Sequence, residues 1–130
     1  MKFANVEDWQ SSRAREREGV PCDIGKGRTI IVRRAGTRNR AYMAGLVAVS
    51  AEDLHAIERL FAETIVCGWQ GLRDERGAEV AYSVDACVEL FEQCPDLADF
   101  VARFANERAN YHAAEVEEET EHLKVIPGGR

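Results

Sequence analysis

Val20-Pro21-Cys22-Asp23-Ile24-Gly25-Lys26-Gly27-Arg28-Thr29-Ile30-Ile31-Val32-Arg33 is the stretch that separates this chain from an all-helical one. Two short runs flank a turn with two glycines, and the second run is rich in β-branched residues; this is the pattern of a β-hairpin. Pro21 cannot donate to a ladder, so it belongs at the start of a strand or on an edge. Gly25-x-Gly27 is not a phosphate loop, because no third glycine and no helix follow it.

The sequence around the hairpin reads as helix. Residues 2–18 carry Phe3, Val6, Trp9 and Ala14 on a polar background, which predicts an amphipathic helix closed by Gly19. A short helix is expected over 39–49. Ser50, with Glu52 and Asp53 behind it, opens a helix over 51–66 in which Leu54, Ile57, Leu60, Phe61 and Ile65 share a face. Trp69-Gln70-Gly71-Leu72, a polar turn over 73–77 and an extended piece over 79–82 follow. Ser83 caps a helix over 84–94 with a stripe of Val84, Cys87, Val88, Phe91 and Cys94. Pro95 then starts a last helix over about 96–119, with Leu97, Phe100, Val101, Phe104 and Tyr111 on one face. The expected fold is α+β and mostly helical, with a small N-terminal hairpin packed by four or five helices. One domain over 1–120 and a flexible tail over 121–130 are expected, with Phe61, Phe91, Phe100 and Phe104 mostly buried.

A chain of 130 residues with 45% apolar and 31% charged residues can build a core without disulfides or metal. No apolar run approaches the ~18 residues of a membrane span, and Met1–Trp9 lacks the apolar stretch of a signal peptide, so a cytosolic protein is expected. The charge is divided unevenly. Residues 1–49 hold ten Lys/Arg against five Asp/Glu, a net of +5, whereas residues 50–130 hold seven against eighteen, a net of −11. Lys26, Arg28, Arg33, Arg34, Arg38 and Arg40 run without an acidic residue from 26 to 40, while 115–121 contains five Glu. Three readings of the basic stretch stand: a solvated strand face, a phosphate-binding surface, or one pole of a head-to-tail contact between copies. Against nucleic acid stand the lack of interleaved aromatics and the acidic second half. Weak, salt-sensitive self-association is the expectation.

Residues that could carry chemistry are few. Cys22, Cys67, Cys87 and Cys94 follow no metal or redox spacing and read as buried thiols. His55, His112 and His122 have no histidine partner at helical spacing and no cysteine at ligand spacing, so no metal site is expected. The acidic pairs fall at helix starts, in a turn or near the chain end, and no nucleophile elbow or Cys–His pair occurs. No catalytic residue, cofactor or enzyme activity is expected. Trp69, between two glycines, reads either as a core plug or, with Tyr82, as part of an interface hot spot.

Gly68-Trp69-Gln70-Gly71-Leu72-Arg73-Asp74-Glu75-Arg76-Gly77-Ala78-Glu79-Val80-Ala81-Tyr82-Ser83, followed by Asp85 and Glu89-Leu90-Phe91, resembles the tail assembly chaperones of long-tailed bacteriophages and prophages. Residues 19–25 and 31–42 are similar to the N-terminal hairpin of those proteins, and the resemblance spans about 15–119. It implies a non-enzymatic protein of the host bacterial cytoplasm, absent from the mature virion. Such a protein binds the tape measure protein, keeps it soluble and helps recruit tail tube subunits. Arg33, Arg34, Trp69 and Tyr82 are the candidate partner-binding residues, and neither nucleic acid nor membrane is an expected partner. A frameshifted longer form is also implied, with the Gly128-Gly129 codons as its candidate slippage site. The alternative is a structural tail or head–tail joining protein of the particle.

Overall fold

Three short strands form an antiparallel sheet in the order β1-β2-β3: Val20–Asp23 (β1), Thr29–Val32 (β2) and Val66–Gln70 (β3). The computed structural model describes residues 1–50 and 52–113. β1 pairs with β2 from Val20↔Val32 to Asp23↔Thr29, so Pro21 sits on the edge strand, where a missing donor costs nothing. β2 pairs with β3 from Thr29↔Gln70 to Val32↔Val66, with a bulge beside Val32. Alternation does the rest: Val20, Cys22, Ile30 and Val32 face inward while Pro21 and Asp23 face solvent. At the exit of β3, Gly71 has φ +83°, and a Cβ there would stand 2.4 Å from the Gly27 carbonyl oxygen, so the hairpin turn abuts bare backbone.

Among the described residues five α-helices complete a helix-rich α+β fold: Arg13–Glu18 (α1), Arg40–Ala48 (α2), Leu54–Thr64 (α3), Val84–Gln93 (α4) and Pro95–Asn106 (α5). Their starts are set by side-chain caps. Ser12, Asn39, Asp53 and Ser83 each accept a backbone N–H from the first turn that follows. α3 packs chiefly on α4. α2 lies against α3 at Gly45, where a Cβ would stand 2.1 Å from Leu60 Cδ1. The core joins Ile30, Val32, Ile65, Val66, Cys87, Phe91, Val101 and Ala105.

Four expectations are corrected. The segment 2–18 is not one helix: Glu7–Trp9 is a 3₁₀ turn, residues 10–12 are extended, and α1 begins only at Arg13. Gln10 closes the first turn and Ser12 caps the next helix, and Phe3 and Trp9 are exposed. The helix expected over 51–66 stops at Thr64, since Ile65-Val66 lead into a third strand that periodicity merged into the helix. The last helix ends at Asn106, not 119. Asn110 Nδ2 donates to the Phe104 carbonyl, and a 3₁₀ turn, Arg108–Tyr111, carries the Tyr111 ring into the core. Its hydroxyl donates to the Val32 carbonyl at 2.9 Å. Among the phenylalanines Phe91 is fully buried and Phe61 and Phe104 are half-buried, but Phe100 is 41% exposed. The tail over 121–130 and its codons lie outside the described residues.

Phe91→Ala is expected to cost about 3–5 kcal/mol, and Phe100→Ala less than about 1 kcal/mol. Urea unfolding of the two variants against the parent checks this contrast.

Candidate functional site: an arginine-lined cleft

Beyond β2 the chain leaves the sheet, and its next three amides bond to three different elements. Arg33 N–H donates to Ile65 O, Arg34 N–H to Glu16 O, and Ala35 N–H to Ala105 O. Residues 33–41 are thereby laid against α1 and the end of α3. Between these segments lies an open cleft of about 1040 Å³. Among the described residues six arginines line it (Arg13 and Arg17 from α1, Arg33, Arg34 and Arg38 from the connection, Arg40 from α2) with two glutamates, Glu16 and Glu63. The first turn of α2 holds no acidic residue, so its positive end adds to the same field.

Glu16 is the organising group. It is 8% exposed, and its carboxylate accepts from Ser11 Oγ at 2.9 Å, Arg34 NH1 at 2.7 Å and Arg38 NH1 at 3.3 Å. Burial by itself would raise the Glu16 pKa. The Ser11 hydroxyl and the two guanidinium groups outweigh it and hold the carboxyl below its usual value. Arg33 Nε donates to the Arg17 carbonyl at 2.8 Å, and Asn39 Nδ2 donates to the carbonyls of Arg34 and Thr64, so the wall is fixed through its backbone. Among the described residues Arg13 and Arg40 make no ion pair. The arrangement suits carboxylates or other planar anions, which guanidinium groups bind through paired donors.

Of the sequence candidates, Arg33 and Arg34 line this cleft, and Trp69 and Tyr82 do not. Trp69 and Tyr82 are half-buried and meet edge-to-face at 5.1 Å. Trp69 Nε1 donates to Val80 O at 2.7 Å, while the Tyr82 hydroxyl reaches the carbonyls of Ala62 and Val66. Burial pushes the Tyr82 phenol up to about 12. The pair thus clamps the 71–82 connection onto β3 and the end of α3. Arg13, Arg17 and Glu16 were legible only as alternating charges. Their convergence on residues 33–40 depends on contacts 16–22 positions apart along the chain.

Two further groups bear on chemistry. His55, Glu58 and Glu92, brought together by α3 and α4, place ligand atoms within 4.8 Å of one another, and this is where a divalent cation could be held. His55 and Glu58 lie three apart on one helix, and only the helix packing brings in Glu92, so spacing rules missed the group. Two cysteines behave as expected: Cys22 and Cys87 are buried, and burial pushes their thiols up to about 11 and about 12. Cys67 is half-buried, but Cys94 is exposed at the junction of α4 and α5, contrary to the expectation of a buried thiol.

Glu16→Gln is expected to cost about 1–3 kcal/mol at neutral pH. The folded-state pKa lies below the unfolded value near 4.5, so the loss is complete above 4.5 and fades as pH falls through the folded value. Urea unfolding of both proteins across pH 3–7 measures it. Iodoacetamide at mildly alkaline pH is expected to label Cys94 in the native protein, and Cys22 and Cys87 only after unfolding, as read by peptide mass spectrometry.

Among the described residues no helix is long and apolar enough to cross a membrane. The model of the family described as YdaY prophage protein matches residues 27–122, that is 96 of the 130 residues. The match takes in Arg33–Arg40 and leaves out the α1 wall of the cleft. No curated protein and no solved structure matches the chain. With well over half of its length matched, the chain belongs to the YdaY prophage protein family.

Proposed function

We propose that this prophage protein is a non-enzymatic assembly factor that binds an acidic or carboxylate-rich face of a phage partner in its arginine cleft. The partner that best fits is the tape measure protein, with the chain acting as a tail assembly chaperone. In that role it keeps the tape measure soluble, helps recruit tail tube subunits in the host cytoplasm, and is left out of the finished particle. The observation that carries the reading is the cleft itself, where six guanidinium groups from α1, the 33–38 connection and α2 are set around one buried carboxylate. Prophage family membership and the resemblance of residues 68–91 to tail assembly chaperones support it. The division of charge between the two halves supports weak, salt-sensitive contacts between copies. Nucleic acid fits less well. Glu16 already engages Arg34 and Arg38, and Trp9, the tryptophan at the cleft, carries the Arg108 guanidinium 4.1 Å from its ring centroid.

Co-expression with the tape measure protein of the same prophage tests the proposal. The expected result is a larger soluble fraction of the tape measure and its co-purification with this chain. Both should drop about tenfold or more for the pair Arg33→Glu and Arg40→Glu, as expected when rows of complementary charge are reversed. Undiminished co-purification by that variant removes the cleft from the reading. Recovery of the protein in purified particles selects the structural tail or head–tail joining role, and a salt-sensitive mobility shift with DNA selects a nucleic-acid regulator.

A further inference from the structure

Two cross-helix contacts join α3 to α4, and they differ in how their charges are balanced. The Arg59 guanidinium, midway along α3, donates to Asp85 Oδ1 at 2.8 Å near the start of α4, and Glu63 stands 3.9 Å from the same group. His55 Nδ1, near the start of α3, lies 3.2 Å from Glu92 Oε2 near the end of α4. A third group joins this second contact: Glu58, three residues after His55 and therefore on the same helical face. Glu58 is half-buried, and among the described residues its carboxylate makes no ion pair. Its neighbour Arg59 is held by Asp85 and Glu63 instead. Two carboxylates and an imidazole thus converge without a Lys or Arg to balance them, their ligand atoms all within 4.8 Å of one another.

The geometry points to a site for a divalent transition-metal ion, zinc or a close relative such as cobalt, held by one imidazole nitrogen of His55 and one oxygen each of Glu58 and Glu92. The donor set selects the class of ion. Magnesium and calcium take shells of oxygen, whereas an imidazole nitrogen beside carboxylates suits zinc, cobalt and nickel. The spacing fits as well. Ligand atoms about 2.0–2.2 Å from a tetrahedral zinc stand about 3.3–3.6 Å apart, which the His55–Glu92 contact already meets and small side-chain rotations bring to Glu58. The His55 and Glu92 side chains are 61% and 48% exposed, so an ion enters without opening the fold. Three protein ligands leave a further position for water or a donor from a partner. The bound ion ties the start of α3 to the end of α4, and because it binds the folded chain it stabilises that state by mass action. None of the three residues lines the arginine cleft, so the inference stands apart from the proposed function.

Titration of the full-length protein with zinc chloride, followed by calorimetry, tests the site. The parent is expected to bind one equivalent, and His55→Asn and Glu58→Gln are each expected to weaken binding by at least about tenfold, since loss even of a group that only orients a metal ligand costs about 10–100-fold. His122→Asn and Cys94→Ser should bind as the parent does. Zinc should raise the thermal midpoint of the parent and leave that of Glu58→Gln in place. In parallel, cobalt should broaden the His55 ring signals in NMR spectra before those of the other two histidines. No binding at millimolar zinc overturns the inference. Binding that His55→Asn and Glu58→Gln leave unchanged, or that His122→Asn or Cys94→Ser abolishes, puts the ion elsewhere and overturns it too. Calcium binding as tight as zinc binding reduces the group to a diffuse patch of carboxylates and likewise overturns it.

Discussion

Three consecutive amides, those of Arg33, Arg34 and Ala35, tie the continuation of β2 to three separate helical elements. A strand of four residues is too short to organise a domain by its ladder alone. β2 succeeds because its continuation is bonded in turn to the end of α3, to α1 and to α5, and because its last carbonyl accepts the Tyr111 hydroxyl. Each of these bonds lies where water is scarce, and leaving such a group unpaired is far costlier than the net gain from making the bond. The geometry of the whole 30–36 region is therefore over-determined. The arginines it carries are presented from a fixed backbone.

The placement of Glu16 follows from the same constraint. Its carbonyl accepts from Arg34 N–H while its carboxylate takes the Arg34 and Arg38 guanidinium groups, so one residue joins α1 to the connection through both backbone and side chain. A nearly buried carboxylate surrounded by donors is stabilising only as a set. Removing one member leaves the others desolvated without a partner. The cleft thus combines a rigid ionic centre with a rim of arginines turned to solvent, a division suited to recognising charge without paying for reorganisation at each encounter.

How much of this was legible depended on the range of the interactions. The hairpin over 20–33, the cap at Ser83, the core face Cys87-Val88-Phe91 and Pro95 at a helix start are local signals, and all are found in the structure. The third strand was hidden because Ile65 and Val66 continue the apolar spacing of α3, whereas Ile65 caps the helix and Val66 is already paired with Val32 of β2. Tyr111 kept the helical phase of α5 and so lengthened it on paper. Its true constraint is a bond to Val32, 79 positions away. Arg33 and Arg34 stood out as charge, but the opposite wall of their cleft, Arg13, Glu16 and Arg17, was indistinguishable from an ordinary solvated helix. Convergence of distant segments leaves no period in a sequence.

The two ends of the described chain meet each other beside the cleft. Arg108 covers Trp9 and bonds to the Asp8 carbonyl, and the 10–12 and 111–113 segments pair side by side. Closing so long a loop carries a large entropic cost, and it is recovered only once the sheet and helices are in place. The described lining residues come from 9–64, and their backbone is tied to the later part of the chain through Ala105 and Tyr111, so the cleft depends on the closed fold. A partner gripping it would distinguish completed copies from unfinished ones. By mass action, it would also lend its binding free energy to keeping them complete.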